Sequence, residues 1–316
     1  TTEKPVQSLS RMVFMVPRLI GPFLLGFIVG LPLLVYFWGF MAHPFDALNR
    51  AYGAPGEIER LSWILGRTVG IAALTATLSM TLGILTFMAF NSWPPRWRNG
   101  VWALAVMPFF MPGHFHAIAW IQTVGKAGWL TRSLAGMMPS ETVFPAVLYS
   151  EFGCAWVLAM HLYPLALGVL IIGWLGLPAA AIESTRTMMR PGRLWRAVLF
   201  GWMRSWLTMG WLLIFIMGLL DYSVASLMRR HVFPVEIMSA FDIDFDPTRA
   251  LALALPLVVV SLLAVVALAR LMVRADWPAP SARRVELPSP GRVGRWALLV
   301  TVSLFVVPVV AVPLMS

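Results

Sequence analysis

Long apolar runs separated by short polar stretches divide the chain. The runs lie at about Leu19 to Met41, Ser62 to Phe90, Val101 to Val124, Val143 to Leu175, Trp206 to Met228 and Thr248 to Met272. Each is long enough to cross a bilayer, which takes roughly 20 apolar residues in a helix. A seventh run starts at Trp296 and reaches Met315 just before the chain stops. The pattern predicts an all-α polytopic membrane protein, because helices satisfy their own backbone in lipid. Gly26-x-x-x-Gly30 offers the first span a close-packing face, and the small residues of 62–90 place the second inside the bundle. Pro108 and Pro112 predict a kink in the third span. The fourth run is long for one crossing and is expected to include an interfacial segment broken near Gly153 or Pro164.

One stretch resists this pattern. Between Leu177 and Met203 the chain carries Glu183, Arg186, Arg190, Arg193 and Arg196. A single Arg at the bilayer centre costs roughly 2.5–3.5 kcal/mol on insertion scales, so this segment belongs outside the hydrocarbon. Pro178 followed by Ala179 to Ala181 predicts a helix start, with Glu183 early in the helix and Arg186 three residues on. Pro191-Gly192 should end that helix, and a second short one should begin near Leu194. The expected shape is a helix-turn-helix loop on the cytoplasmic face. Spaced four, three and three, its arginines would share one helical face were Pro191 not between them.

Composition sharpens the picture. With 59% hydrophobic residues and a mean hydropathy of +0.79, no soluble fold of this size would hide the apolar surface. The net charge of +10 is not a nucleic-acid signal, because Lys and Arg concentrate at Thr1–Arg18, Pro94–Arg98, 177–204 and Arg270–Arg295. The remaining loops hold Asp46, Glu57, Glu59, Glu141, Glu236, Asp242, Asp244 and Asp246. By the positive-inside rule the N-terminus and the Arg-rich loop are cytoplasmic. No small-residue cleavage site follows the first apolar run, so it is not a cleavable signal peptide. The lone Cys154 rules out a disulfide framework.

Candidate chemistry is sparse. There is no G-x-x-x-x-G-K-[ST], nucleophile elbow or His-Glu-x-x-His site, so the chain is not expected to be an enzyme or to bind ATP or a metal itself. His114 and His116 could share an ion only on irregular backbone, since i and i+2 face different sides of a helix. The plainer alternative makes them interfacial or bundle-facing polar residues. Glu151 and Asp221 are acids in or at the edge of spans, where such residues usually face the interior or a water-filled cavity. They line a pathway or play an interfacial role. The loop arginines are either a lipid anchor or a docking surface, and both can hold.

The loop resembles the EAA loop of binding-protein-dependent ABC importer permeases. Glu183 and Arg186 match that motif, as do the late aliphatic Val198 and Arg204 beyond its end. Ser184-Thr185 stand for its Ala pair, Met189 for its Gly and Gly201 for its Pro, with the spacing one residue short. The flanks MPFFMPGHFHAIAW (107–120), YSEFGCAWVLAMHLYP (149–164) and LLDYSVASLM (219–228) resemble the iron(III)-type branch, over about residues 60 to 270. The resemblance implies a six-helix, MetI-like permease core at 19–272, after a cytoplasmic segment at 1–18. Residues 273–295 would be a cytoplasmic linker and 296–316 the truncated start of a second permease half. Glu183, Ser184, Thr185, Arg186, Met189, Arg190, Gly192 and Arg193 would dock on ABC ATPase subunits, which hold the ATP. A periplasmic substrate-binding protein would deliver the cargo, and a second permease half, fused or separate, would complete the pathway. The implied location is a bacterial inner membrane and the first implied cargo ferric iron, with thiamine, a polyamine or a phosphonate as alternatives. Outside this class, the chain could be a membrane scaffold or assembly subunit that moves no solute.

Overall fold

A computed structural model describes residues 34–35, 37–90, 105–137, 139–177, 179–189, 191–274 and 296. Most of the expected first span, the 91–100 turn, the linker and the seventh span lie outside the described residues. The first elements are α1 (Pro44–Tyr52), α2 (Glu57–Phe90), α3 (Gly113–Val124), α4 (Trp129–Leu134), α5 (Ser140–Leu148) and α6 (Glu151–Leu175). Then come α7 (Ala179–Met188), α8 (Pro191–Arg196) and a π-helical turn (Ala197–Trp202). The last are α9 (Arg204–Leu220), α10 (Ser223–Leu227), α11 (Phe233–Asp242) and α12 (Pro247–Arg274). The fold is all-α, and no strand occurs among the described residues.

Three helices are long and apolar enough to cross a membrane: Glu57–Met88, Glu151–Leu175 and Pro247–Arg274. A fourth crossing exists if Arg193–Trp202 and Arg204–Leu220, bent by 65°, count as one span. These correspond to the expected second, fourth, sixth and fifth runs. The third run is a helical turn at 105–110, a break at Met111-Pro112, then α3. The six-span count therefore reaches beyond what the described residues contain.

The described chain falls into two units. In the larger, Leu61–Val235 with residues from Pro256 on, α6 is the central post. It is apolar on every face, as a helix surrounded by other helices must be. Small residues let neighbours close on it. A Cβ on Gly83 would stand 2.7 Å from the Ala166 Cβ, and one on Gly173 would stand 2.6 Å from the Trp206 ring. Around its first half pack Ile71, Ala117, Leu148, Val224 and Met228 together with the buried Cys154.

The fourth run breaks at Tyr149-Ser150, just before Gly153, and not at Pro164. Helix α5 ends at Leu148, and Ser150 caps α6 by accepting from the Gly153 N–H at 3.1 Å. Gly153 does matter there, because a Cβ on it would stand 2.1 Å from the Leu148 carbonyl oxygen. Pro164 stays inside a continuous helix. Its missing N–H leaves one carbonyl of the preceding turn without its helical donor.

The smaller unit comprises residues up to Arg60 together with Glu236–Leu255, and it is tied by polar contacts. Arg50 reaches Asp246 at 2.8 Å and donates to the Thr248 hydroxyl at 2.9 Å. Thr248 in turn donates to Asp246 at 2.6 Å. Arg60 spans Glu57 and Glu236 at 2.7 and 2.6 Å, and Tyr52 donates its hydroxyl to the Ala252 carbonyl at 2.8 Å. Burial works to raise the Asp246 pKa, but Thr248, the Arg249 N–H and the Arg50 charge together hold it below the ordinary value. A carboxyl depressed in the folded state adds stability that is present above its unfolded pKa and is lost as pH falls through the folded one. The thermal stability gap between wild type and Asp246→Asn should be constant down to about pH 5 and should close below the ordinary aspartate value near 3.9. Melting curves in detergent across that range check this; a gap independent of pH would contradict it.

Candidate functional site

The loop expected at Leu177 to Met203 forms as a helix pair, with a different punctuation. The first helix, α7, ends at Met188, and Pro191 opens α8 instead of standing before it. Proline suits a first helical turn because its missing N–H is unpaired there anyway. Ile182, Leu194, Trp195, Val198 and Leu199 are buried, while Glu183, Ser184, Met188, Met189, Arg193 and Arg196 are exposed. The pair thus has an apolar underside and an outer face of polar and charged residues with Met188 and Met189 among them. Thr185 is half-buried and Gly192 lies in the first turn of α8. The Arg186 side chain and Arg190 lie outside the described residues.

The underside stands on aromatic rings. Trp195 meets Phe87 edge-on with centroids 6.0 Å apart, and Phe87 meets Trp174 edge-on at 6.0 Å. Contacts of this geometry contribute about 0.5–1.5 kcal/mol beyond burial. They clamp the loop to the ends of α2 and α6. From Trp195 the chain passes through the π-helical turn and the 65° bend into α9. The outer face is therefore connected to three long helices, α2, α6 and α9.

The pathway candidates separate. His114 is exposed and lies against Phe115, whereas His116 is fully buried. They do not converge, because both sit on the regular part of α3. The partner of His116 is His161 on α6, with ring centroids 5.4 Å apart. His116 Nε2 lies 3.0 Å and His161 Nδ1 3.3 Å from the Pro108 carbonyl, so each nitrogen must donate. Four residues on, Pro112 has no N–H for that carbonyl, and only a strained 3.3 Å contact from the Met111 N–H remains in the backbone. The two imidazoles replace the donor that the proline removed.

Asp221 ends α9 and turns the chain. Its carboxylate accepts from the Val224 N–H at 2.9 Å and the Ser223 hydroxyl at 3.1 Å, which caps α10. A Cβ on Gly113 would stand 3.8 Å from Asp221 Oδ2 and 3.6 Å from the His161 ring, so the acid borders the histidine pair. Glu151 opens α6 and forms an ion pair with Arg67 at 2.7 Å. The Arg67 Nε is close but not aligned as a hydrogen-bond donor, and its charge is also stacked over Trp63 at 4.9 Å. Among the described residues no three His, Cys, Asp or Glu side chains are placed to hold a metal. Neither His161 nor Arg67 was expected from the sequence. The signals available were a proline four residues after a carbonyl and an arginine inside an apolar run.

No protein-family model and no curated protein matches the chain. Its fold does have a solved counterpart. A chain in the crystal structure of a bacterial alginate ABC transporter, in complex with alginate pentasaccharide-bound periplasmic protein, aligns with a TM-score of 0.62. The alignment covers 86% of this chain and 98% of that one, at 13% identity. At that identity the likeness shows a shared helical fold.

Replacing His116 by Leu removes the shortest of three donors on the Pro108 carbonyl, worth about 0.5–1.5 kcal/mol as one hydrogen bond. Pro112→Ala restores a backbone N–H at the position that carbonyl would use in a continuous helix. The two substitutions should therefore be less damaging together than the sum of the single effects, in a double-mutant cycle read by thermal unfolding in detergent. Simple additivity would contradict the account.

Proposed function

We propose that the chain is the permease half of an ABC importer, moving a solute across a bacterial inner membrane with its N-terminus in the cytoplasm. The observation that carries the proposal is the exposed polar face of α7 and α8, set on a buried aromatic mount that joins α2, α6 and α9. A lipid anchor needs basic residues near the headgroups, but it does not need rigid attachment to the span ends. A docking element for a motor subunit does. The shared fold with a chain of an ABC transporter complex and the resemblance of the loop to an EAA motif support the same function.

In this mechanism the ATP is bound and hydrolysed by separate ATPase subunits, and the chain is not itself an enzyme. Closure of those subunits pushes on Glu183, Arg193 and their neighbours. The Trp195–Phe87–Trp174 contacts and the bend into α9 pass the movement to the membrane helices. Alternating access then follows from rigid-body rocking against a second permease half. Asp221 and His116 act as turn and kink supports near the pathway, and Glu151 as the partner of Arg67. A substrate-binding protein would deliver the cargo on the face away from the loop. Resemblance to the iron(III) branch makes ferric iron the first cargo to test, with thiamine, polyamines and phosphonates behind it.

The test is co-purification with the candidate ATPase, wild type beside Glu183→Ala with Arg193→Ala. The ATPase should come down with the wild type and be reduced about tenfold or more in the variant, since truncated interface hot spots cost about 2 kcal/mol. Absence of the ATPase from both preparations would sink the importer proposal and favour a scaffold role.

A further inference from the structure

At the end of α6 away from the loop lies a cavity of about 1040 Å³. It is walled by the end of α3, the α3–α4 connection, α4, α5 and the turn after α10. Its charged lining is Lys126, Arg132, Arg229 and Arg230 against one carboxylate, Glu141. None of the four cations makes an ion pair among the described residues. The arginines of the smaller unit behave differently: Arg50, Arg60 and Arg249 are all matched with acids.

Three further observations point to a ligand. Arg229 has φ 54°, the left-handed conformation that ends α10, where glycine is the usual residue. An arginine occupies that position despite the strain, and Arg230 follows it in the lining of the same cavity. The Arg230 Nε and Trp129 Nε1 donors are buried at the lining without a hydrogen-bond partner among the described residues. Finally, the cations stand at the end of the membrane helices opposite the Arg-rich loop. The positive-inside rule accounts for basic residues on the loop side and not for these.

We propose that this cavity is the entry site for an anionic solute carrying carboxylate or phosphonate groups. Like charges focused in a recess raise the local concentration of anions and repel cations. The cavity therefore selects among the cargoes that the transporter reading leaves open. A phosphonate, or iron held in an anionic chelate, is favoured; a polyamine, thiamine or bare ferric ion is not. Arg229 and Arg230 supply the primary charge, Lys126 and Arg132 the rim, and Trp129 an indole donor beside them. The role as an entry site rests on the transporter reading, but the affinity for anions does not.

The test uses the purified full-length chain in detergent without an ATPase, so its result is independent of whether an ATPase docks. Citrate, methylphosphonate and spermidine are titrated separately by calorimetry at low salt. Citrate and methylphosphonate should bind saturably, and about tenfold more weakly in Arg229→Gln with Arg230→Gln. Arg132→Gln, on the exposed side of α4 and outside the strained turn, should weaken them by a smaller factor even if the double variant misfolds. Arg274→Gln, an exposed arginine at the last residue of α12, should change nothing. Spermidine should not bind. Failure of both anions to bind, retention of full affinity in the Arg229/Arg230 and Arg132 variants, or saturable spermidine binding would overturn the proposal.

Discussion

Hydrocarbon offers no hydrogen bonds, so every place where a membrane helix breaks must be repaired from within the protein. The described chain contains three such repairs, each with its own chemistry. At Pro112 a lost backbone N–H is replaced by the imidazoles of His116 and His161 on the Pro108 carbonyl. At Ser150 a hydroxyl caps the start of α6. At Asp221 a carboxylate caps α10 and turns the chain away from α9. The repairs leave the post α6 uninterrupted for 25 residues, roughly 37 Å at 1.5 Å per residue. That element separates two polar ends.

Charge is handled differently at those ends. On the loop, arginines project from a mount that buries Ile182, Leu194 and Trp195. Around the opposite cavity, four cations line the recess with a single acid, Glu141, among them. The first arrangement suits contact with another protein, the second capture of a small anion. Both depend on the apolar contacts beneath them, because an unanchored arginine adapts to any partner and transmits little movement.

Much of this was legible in the chain itself. Period-free apolar runs over 62–90, 143–175 and 248–272 marked three helices, and four arginines in one interruption marked the loop. Of the two sites expected for the break in the fourth run, Gly153 lies beside the actual one and Pro164 does not break the helix. The actual break depends on Ser150 reaching the Gly153 N–H, a contact visible only in three dimensions. His161 stayed hidden for the same reason: a lone histidine in an apolar run says nothing until a carbonyl from a distant kink is beside it. The cavity was missed because its cations come from separated segments whose acids were more conspicuous. The pairing of Glu151 with Arg67, one helix away, was hidden because the two are far apart in sequence.

The central claim is that the outer face of α7 and α8 touches a motor subunit. Site-specific photo-crosslinking in native membranes tests it directly, with the probe placed at exposed Met189 and, as a control, at buried Ile182. The account predicts a crosslink from Met189 to a nucleotide-hydrolysing subunit and none to that subunit from Ile182. Crosslinks from Met189 to lipid alone, with no protein partner, would contradict it.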